Sequence, residues 1–127
     1  MSTLDRTISG YVIGDNLEIT RTITDLPAAI ETAWFTAKRH ARAADADALV
    51  RKVITTEDVP GTGQIEAAGG VGVDGSLRFD LSADDTRAIG TRDAIYDIQI
   101  RLTDGVIYTP EIGTMTLTAD VTQATEA

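Results

Sequence analysis

At 127 residues the chain is one domain's worth, long enough for a single core and too short for two. It contains no cysteine, which excludes a disulfide-stapled scaffold and any thiolate metal centre and leaves burial to hold the fold. A formal net charge of −9 repels phosphate backbones and anionic bilayers, so neither nucleic acid nor a membrane is expected as a partner.

In chain order, residues 1–5 predict a loose arm, because nothing there repeats with a structural period. The opening MSTLDRTISG has neither a basic nor an apolar leader region, and no later run approaches the roughly 20 apolar residues of a bilayer span. Retention in the cytoplasm until assembly is the expectation. A first strand is predicted from about Arg6 to Ile13. The Gly14-Asp15-Asn16 turn leads into a second, with Leu17, Ile19 and Ile23 on one face and Glu18, Thr20, Thr22 and Thr24 on the other. Arg21 interrupts the apolar face, which fits either an edge strand with its head group in water or a local twist.

Pro27 ends that strand, having no amide to donate. In Glu31 to Lys38, ETAWFTAK, the threonines and aromatics favour a pleated surface over a helix, and the lone tryptophan, Trp34, is expected in the core. Arg39 to Leu49 turns to alanine with mixed charge and predicts a short helical insertion or a solvated excursion. Arg51 to Thr56 returns to strand composition, Glu57 to Gly63 is a turn, and a short strand from Ile65 runs into a glycine-rich hairpin tip over Ala67 to Gly75.

The stretch Leu77 to Leu102 organises the rest. Leu77, Phe79 and Leu81 alternate with polar residues, as do Tyr96, Ile98, Ile100 and Leu102, and between them Ser82, Asp84, Asp85 and Gly90 have the chemistry to start and stop one helical turn. Strand, corner, strand is how a chain crosses between the sheets of a sandwich, and Tyr96 stands where immunoglobulin-like folds place a corner tyrosine. Asp104-Gly105 predicts a hairpin. A last strand, split by Pro110 and Gly113, resumes from Met115 to Val121, and residues 122–127 form a polar tail. The whole chain, 1–127, therefore predicts one all-β, immunoglobulin-like antiparallel β-sandwich of about seven strands with one short helical insertion.

The ordered set GDNLEITRTITD, AWFTAKR, LRFDLSADDTRAIG, AIYDIQIRLTDG and GTMTLTADVTQ resembles a group of small tailed-phage virion proteins related to the N-terminal immunoglobulin-like domain of phage baseplate upper proteins. The matching positions are Gly14-Asp15, Trp34 to Lys38, Leu81 to Thr86, Tyr96 to Gln99, Asp104-Gly105 and Asp120 to Thr122. The departures are Arg39 to Leu49 and Gly69 to Gly75, together with the long C-terminal region of those proteins, for which this chain has no counterpart. The resemblance implies a virion component, made in the bacterial host cytoplasm, that docks on neighbouring phage structural proteins in many copies and needs no cofactor.

Chemical sites are sparse. His40 is the only histidine and reads as a solvated surface residue. Asp84 and Asp85, and Asp45 and Asp47, read as capping and solubilising acids rather than a calcium loop, and GTGQIE and GGVGVDG lack the continuation of a phosphate loop. No catalytic or metal-binding residue is expected. Lys38, Arg39, Arg42, Arg51 and Lys52 concentrate positive charge on an acidic chain. They fit a salt-bridge network with Asp45, Asp47, Glu57 and Asp58, or a docking patch for an acidic partner. The threonine rows at Thr20, Thr22 and Thr24 and at Thr114, Thr116 and Thr118 read as exposed sheet surface. The expected function is non-enzymatic docking in a tail, baseplate or fibre attachment region, with capsid decoration the alternative. A carbohydrate-binding module is more distant, since only Tyr11, Tyr108 and Phe35 are available as exposed aromatics.

Overall fold

Most of the strands form where apolar and polar residues alternate. A computed structural model of the chain describes residues 3–119 and places them in two stacked sheets. The strands are β1 (Leu4–Ile8), β2 (Leu17–Ile23), β3 (Ile30–Lys38), β4 (Val50–Ile54), β5 (Gly63–Ala67), β6 (Gly75–Leu81), β7 (Ala94–Leu102) and β8 (Ile107–Met115). One helix, α1 (Ala83–Ile89), joins β6 to β7. A five-stranded sheet runs β1-β8-β7-β3-β4 and a three-stranded sheet runs β2-β6-β5. The protein is thus an all-β sandwich with eight strands among the described residues.

The crossing between sheets is the corner that the sequence predicts. Leu77, Phe79 and Leu81 of β6 and Tyr96, Ile98, Ile100 and Leu102 of β7 are all buried, and they face one another through the core. The helix between them has seven residues, longer than the single turn expected. Ser82 caps it reciprocally, since the Asp85 amide donates to Ser82 Oγ at 3.2 Å and the Ser82 amide donates to Asp85 Oδ2 at 2.8 Å. Gly90 stops it with φ at +70°. The buried Thr86 ties the corner to the early turn, accepting from the Gly14 amide at 2.9 Å and donating to the Asp15 carbonyl at 2.9 Å.

Several expectations are corrected. Trp34 is not in the core. The alternation in β3 turns Ala33, Phe35 and Ala37 inward and leaves Trp34 half-buried on the outer face, under the Arg101 guanidinium at 5.9 Å. Phe35 is the core ring, with its centroid 5.6 Å from Tyr96 and 5.8 Å from Phe79. Leu4 and Asp5 are not a loose arm but the start of β1, which pairs parallel to β8, so the sandwich is not wholly antiparallel. β1 ends at Ile8, before Gly10 with φ at +84°, and Val12 rejoins the sheet only as a bridge to Thr118. β8 is not split: Pro110 falls in a bulge, where Thr109 and Pro110 together oppose the single residue Gln99. Of the two readings of Arg39 to Leu49 the solvated excursion holds, since most of the span is exposed and its helical part is a three-residue 3-10 turn, Asp45–Asp47. Asp120 to Thr122 and the tail over 122–127 lie outside the described residues.

Candidate functional site

Polar groups converge at three places. The first is interior. Glu111 of β8 is buried at 4% exposure and receives Arg21 of β2 in a two-pronged pair, Nε to Oε1 at 2.7 Å and Nη2 to Oε2 at 3.1 Å. The Tyr96 hydroxyl donates to Glu111 Oε2 at 2.5 Å, and Arg6 of β1 approaches Oε1 at 3.9 Å. The Glu111 hydrogen bond raises the Arg21 guanidinium above its ordinary value. Burial, reinforced by the bond to Glu111, raises the Tyr96 phenol and keeps it protonated. Tyr96 therefore spends its hydroxyl on a carboxylate of the next strand rather than on an upstream backbone group, as a corner tyrosine would. Arg21 does stand on an edge strand, as one of the two expected courses had it, but its head group is turned inward and paired with Glu111 rather than left in water.

The second place is the outer face of the five-stranded sheet. Trp34, Ile95, Ile112, Thr36 and Lys38 surround Asp97 in a shallow trough. Desolvation by these neighbours raises the Asp97 carboxyl, opposed in part by the Lys38 charge.

The third place is a groove of about 390 Å³ along one side of the sandwich, between the edges of β1 and β2. Leu4, Pro110 and Ile98 supply its apolar wall, Thr20, Thr22, Thr24 and the exposed Asp25 its rim, and Arg6, Arg21 and Glu111 its charged floor.

The five cations singled out in the sequence do not form one open patch. Lys38 Nζ donates to Asp45 Oδ1 and to the Ala43 carbonyl, both at 2.8 Å, and this bond holds the Asp45 carboxyl below the usual carboxylate range. Arg39 caps the corner, donating to the carbonyls of Ile89 at 2.7 Å, Arg92 at 3.0 Å and Asp93 at 3.1 Å. Arg51 sits 3.9 Å from Asp45. Lys52 Nζ lies 2.8 Å from Asp85 Oδ2 and 3.0 Å from the Gly61 carbonyl. Burial works to raise the Asp85 carboxyl, but the bonds from Lys52 and Ser82 outweigh it and leave the group lowered. Asp58 pairs with Arg78 instead, at 2.6 Å. Among the described residues, Arg42 alone of the five is exposed with no such bond. His40 is exposed, and among the described residues no three His, Asp or Glu side chains gather as metal ligands.

Sequence reasoning missed Glu111 and Asp97. The visible signal for Glu111 was Arg21 itself, since a cation on a buried face requires an anion opposite it. No protein-family model matches the chain, and no curated protein is significantly similar to it.

Proposed function

We propose that this sandwich is of immunoglobulin type and serves as a non-enzymatic docking module in a tailed-phage particle, in the tail, baseplate or fibre attachment region. The strand order supports the first half: β3, β7 and β8 share one sheet and β2, β6 and β5 the other, as strands C, F, G and B, E, D do in immunoglobulin domains. For the second half, the carrying observation is the corner. The residues LSADDT, one of the segments that carry the resemblance, lead into a capped helix that joins the sheets and anchors the Gly14-Asp15 turn, itself another matching position. The polar clusters fit the same role, because their groups bond within the chain and are arranged as supports for a scaffold. Many copies in a symmetric array let weak individual contacts suffice.

The test is to locate the chain in a cryo-electron microscopy reconstruction of the intact phage. Density for the sandwich at a tail or baseplate position supports the reading, density on the capsid shell replaces it with decoration, and absence from the particle refutes both. Arg42→Glu probes the positive region without disturbing the fold, whereas Arg39→Glu also uncaps α1. Unchanged occupancy of Arg42→Glu in particles counts against docking through this region.

A further inference from the structure

The two sheets differ in width, and the difference falls on one side. At the β4 side, β5 closes the narrower sheet against its neighbour. At the other side the narrower sheet stops at β2, while β8 and β1 continue, and the groove lined by Leu4, Ile98 and Pro110 opens below them. An immunoglobulin-type sandwich carries a fourth strand in that sheet, beside the one that β2 represents. Here that place is empty among the described residues.

We propose that the free edge of β2 receives an extended segment of a partner protein, which pairs as a fourth strand, turns apolar side chains into the groove and sets a carboxylate against Arg6. The inference rests on the docking-module reading and names where and how it docks.

The sandwich has four edges, and three are blunted. β4 carries Arg51 and Lys52, β5 is five residues long with a register shift between Ile65 and Ala67, and β1 is five residues long with Asp5 and Arg6 upon it. β2 is the longest of the four, and its pairing with β6 runs unbroken from Leu17↔Leu81 to Ile23↔Gly75, which keeps its outer row of backbone groups straight. Its outward side chains are threonines and one glutamate, short enough to admit a neighbour. An inward charge such as Arg21 deters strand addition when it is loose. Arg21 is already neutralised by Glu111, so covering it leaves no unpaired charge. Arg6 differs: although Asp25 balances the formal charge of the groove as a whole, the Arg6 guanidinium is half exposed with only its 3.9 Å approach to Glu111, and it is this head group that an incoming carboxylate complements.

Random short linear peptides displayed as a library and selected on the full chain test this, with amide exchange by NMR reporting where they bind. Selected peptides should alternate apolar and polar residues, include Asp or Glu, and protect amides of Leu17–Ile23. Arg6→Glu, verified as folded by its thermal transition, should weaken binding about tenfold, and a peptide with lysine in place of the carboxylate should recover it. Failure to select any peptide, protection centred on Trp34 and Ile112 instead, or pairing of two β2 edges in a self-associated dimer overturns the proposal. A chain present in the particle but unprotected at β2 removes the groove alone and spares the docking reading. Protection at β2 in a chain absent from every particle does the reverse.

Discussion

Glu111→Gln gives the sharpest measure of how the sandwich is held at its open side. The substitution keeps the shape and removes the charge that two guanidinium groups and a phenol share. Arg21 is left with 21% of its side chain exposed and a neutral partner, while the Tyr96 hydroxyl keeps an acceptor. Breaking a fully buried pair costs about 3–5 kcal/mol, and the partial access of water to Arg21 brings the expected loss to about 2–3 kcal/mol. For a domain of this size that lowers the melting temperature by about 7–11 °C. Urea unfolding followed by circular dichroism gives the free energy, and a cycle with Arg21→Met isolates the pair, with an expected coupling of at least about 1.5 kcal/mol. A loss for Glu111→Gln below about 0.5 kcal/mol, or no coupling to Arg21→Met, would refute the reasoning.

Phe35→Ala should cost about 3–5 kcal/mol in urea unfolding. Trp34→Ala, one residue earlier and rich in the same kind of surface, should cost no more than about 1.5 kcal/mol, and equal losses would place Trp34 back in the core. A Cβ at Gly113 would collide with the Arg6 carbonyl and stand 2.9 Å from Tyr96 Cε1. Gly113→Ala should therefore cost about 3 kcal/mol and expose the chain before Ile8 to limited proteolysis by detaching β1 from β8. Two carboxylates should give opposite pH profiles. Asp85 is lowered in the fold, so its contribution is complete above the unfolded value of about 4 and fades as pH falls through the folded value, and Asp85→Asn should cost about 1 kcal/mol at neutral pH and nothing in strong acid. Asp97 is raised, so its cost to folding grows as pH rises above the unfolded value of about 4 and is complete once pH passes the folded value, and Asp97→Asn should stabilise at neutral pH with the gain vanishing below about pH 4.

The core halves of the sandwich were legible because their period is strict. Leu77 to Leu81 and Tyr96 to Leu102 alternate without exception, and the Ser82 to Asp85 box and Asp104-Gly105 are local signals that need no tertiary context. Trp34 was misread because Thr32, Trp34 and Thr36 against Ala33, Phe35 and Ala37 gives two nearly equal faces. Partners decide between them: Ile54 and Ile100 stand opposite Ala33, and Ile98 opposite Phe35. β1 was misplaced because only Ile8 of its five residues is buried, so an exposed edge strand that pairs across more than a hundred residues leaves no periodic trace. The proposed site stayed hidden for the same reason. A groove made by the ends of two sheets belongs to no single segment.

The phase of β8 explains why a charge is buried there at all. Upstream, Tyr108 stands opposite the buried Ile100, and downstream Met115 and Leu117 are buried, so odd-numbered residues face inward after an even-numbered one did. Only an extra residue reconciles the two, and the bulge at Thr109 and Pro110 supplies it. Without the bulge the register Ile100↔Tyr108 would continue to Asp97 opposite Glu111 and Tyr96 opposite Ile112. That arrangement suits the hydrophobicity of Ile112 and Glu111, yet it sets two carboxylates side by side on the outer face, strands Arg21 in the interior, and turns Met115 and Leu117 to water. The observed register carries Glu111 inward as a consequence of the residues that follow it. Arg21 and the Tyr96 hydroxyl then remove the penalty, and because they come from β2 and β7, the same three side chains fix how the narrow sheet sits on the wide one.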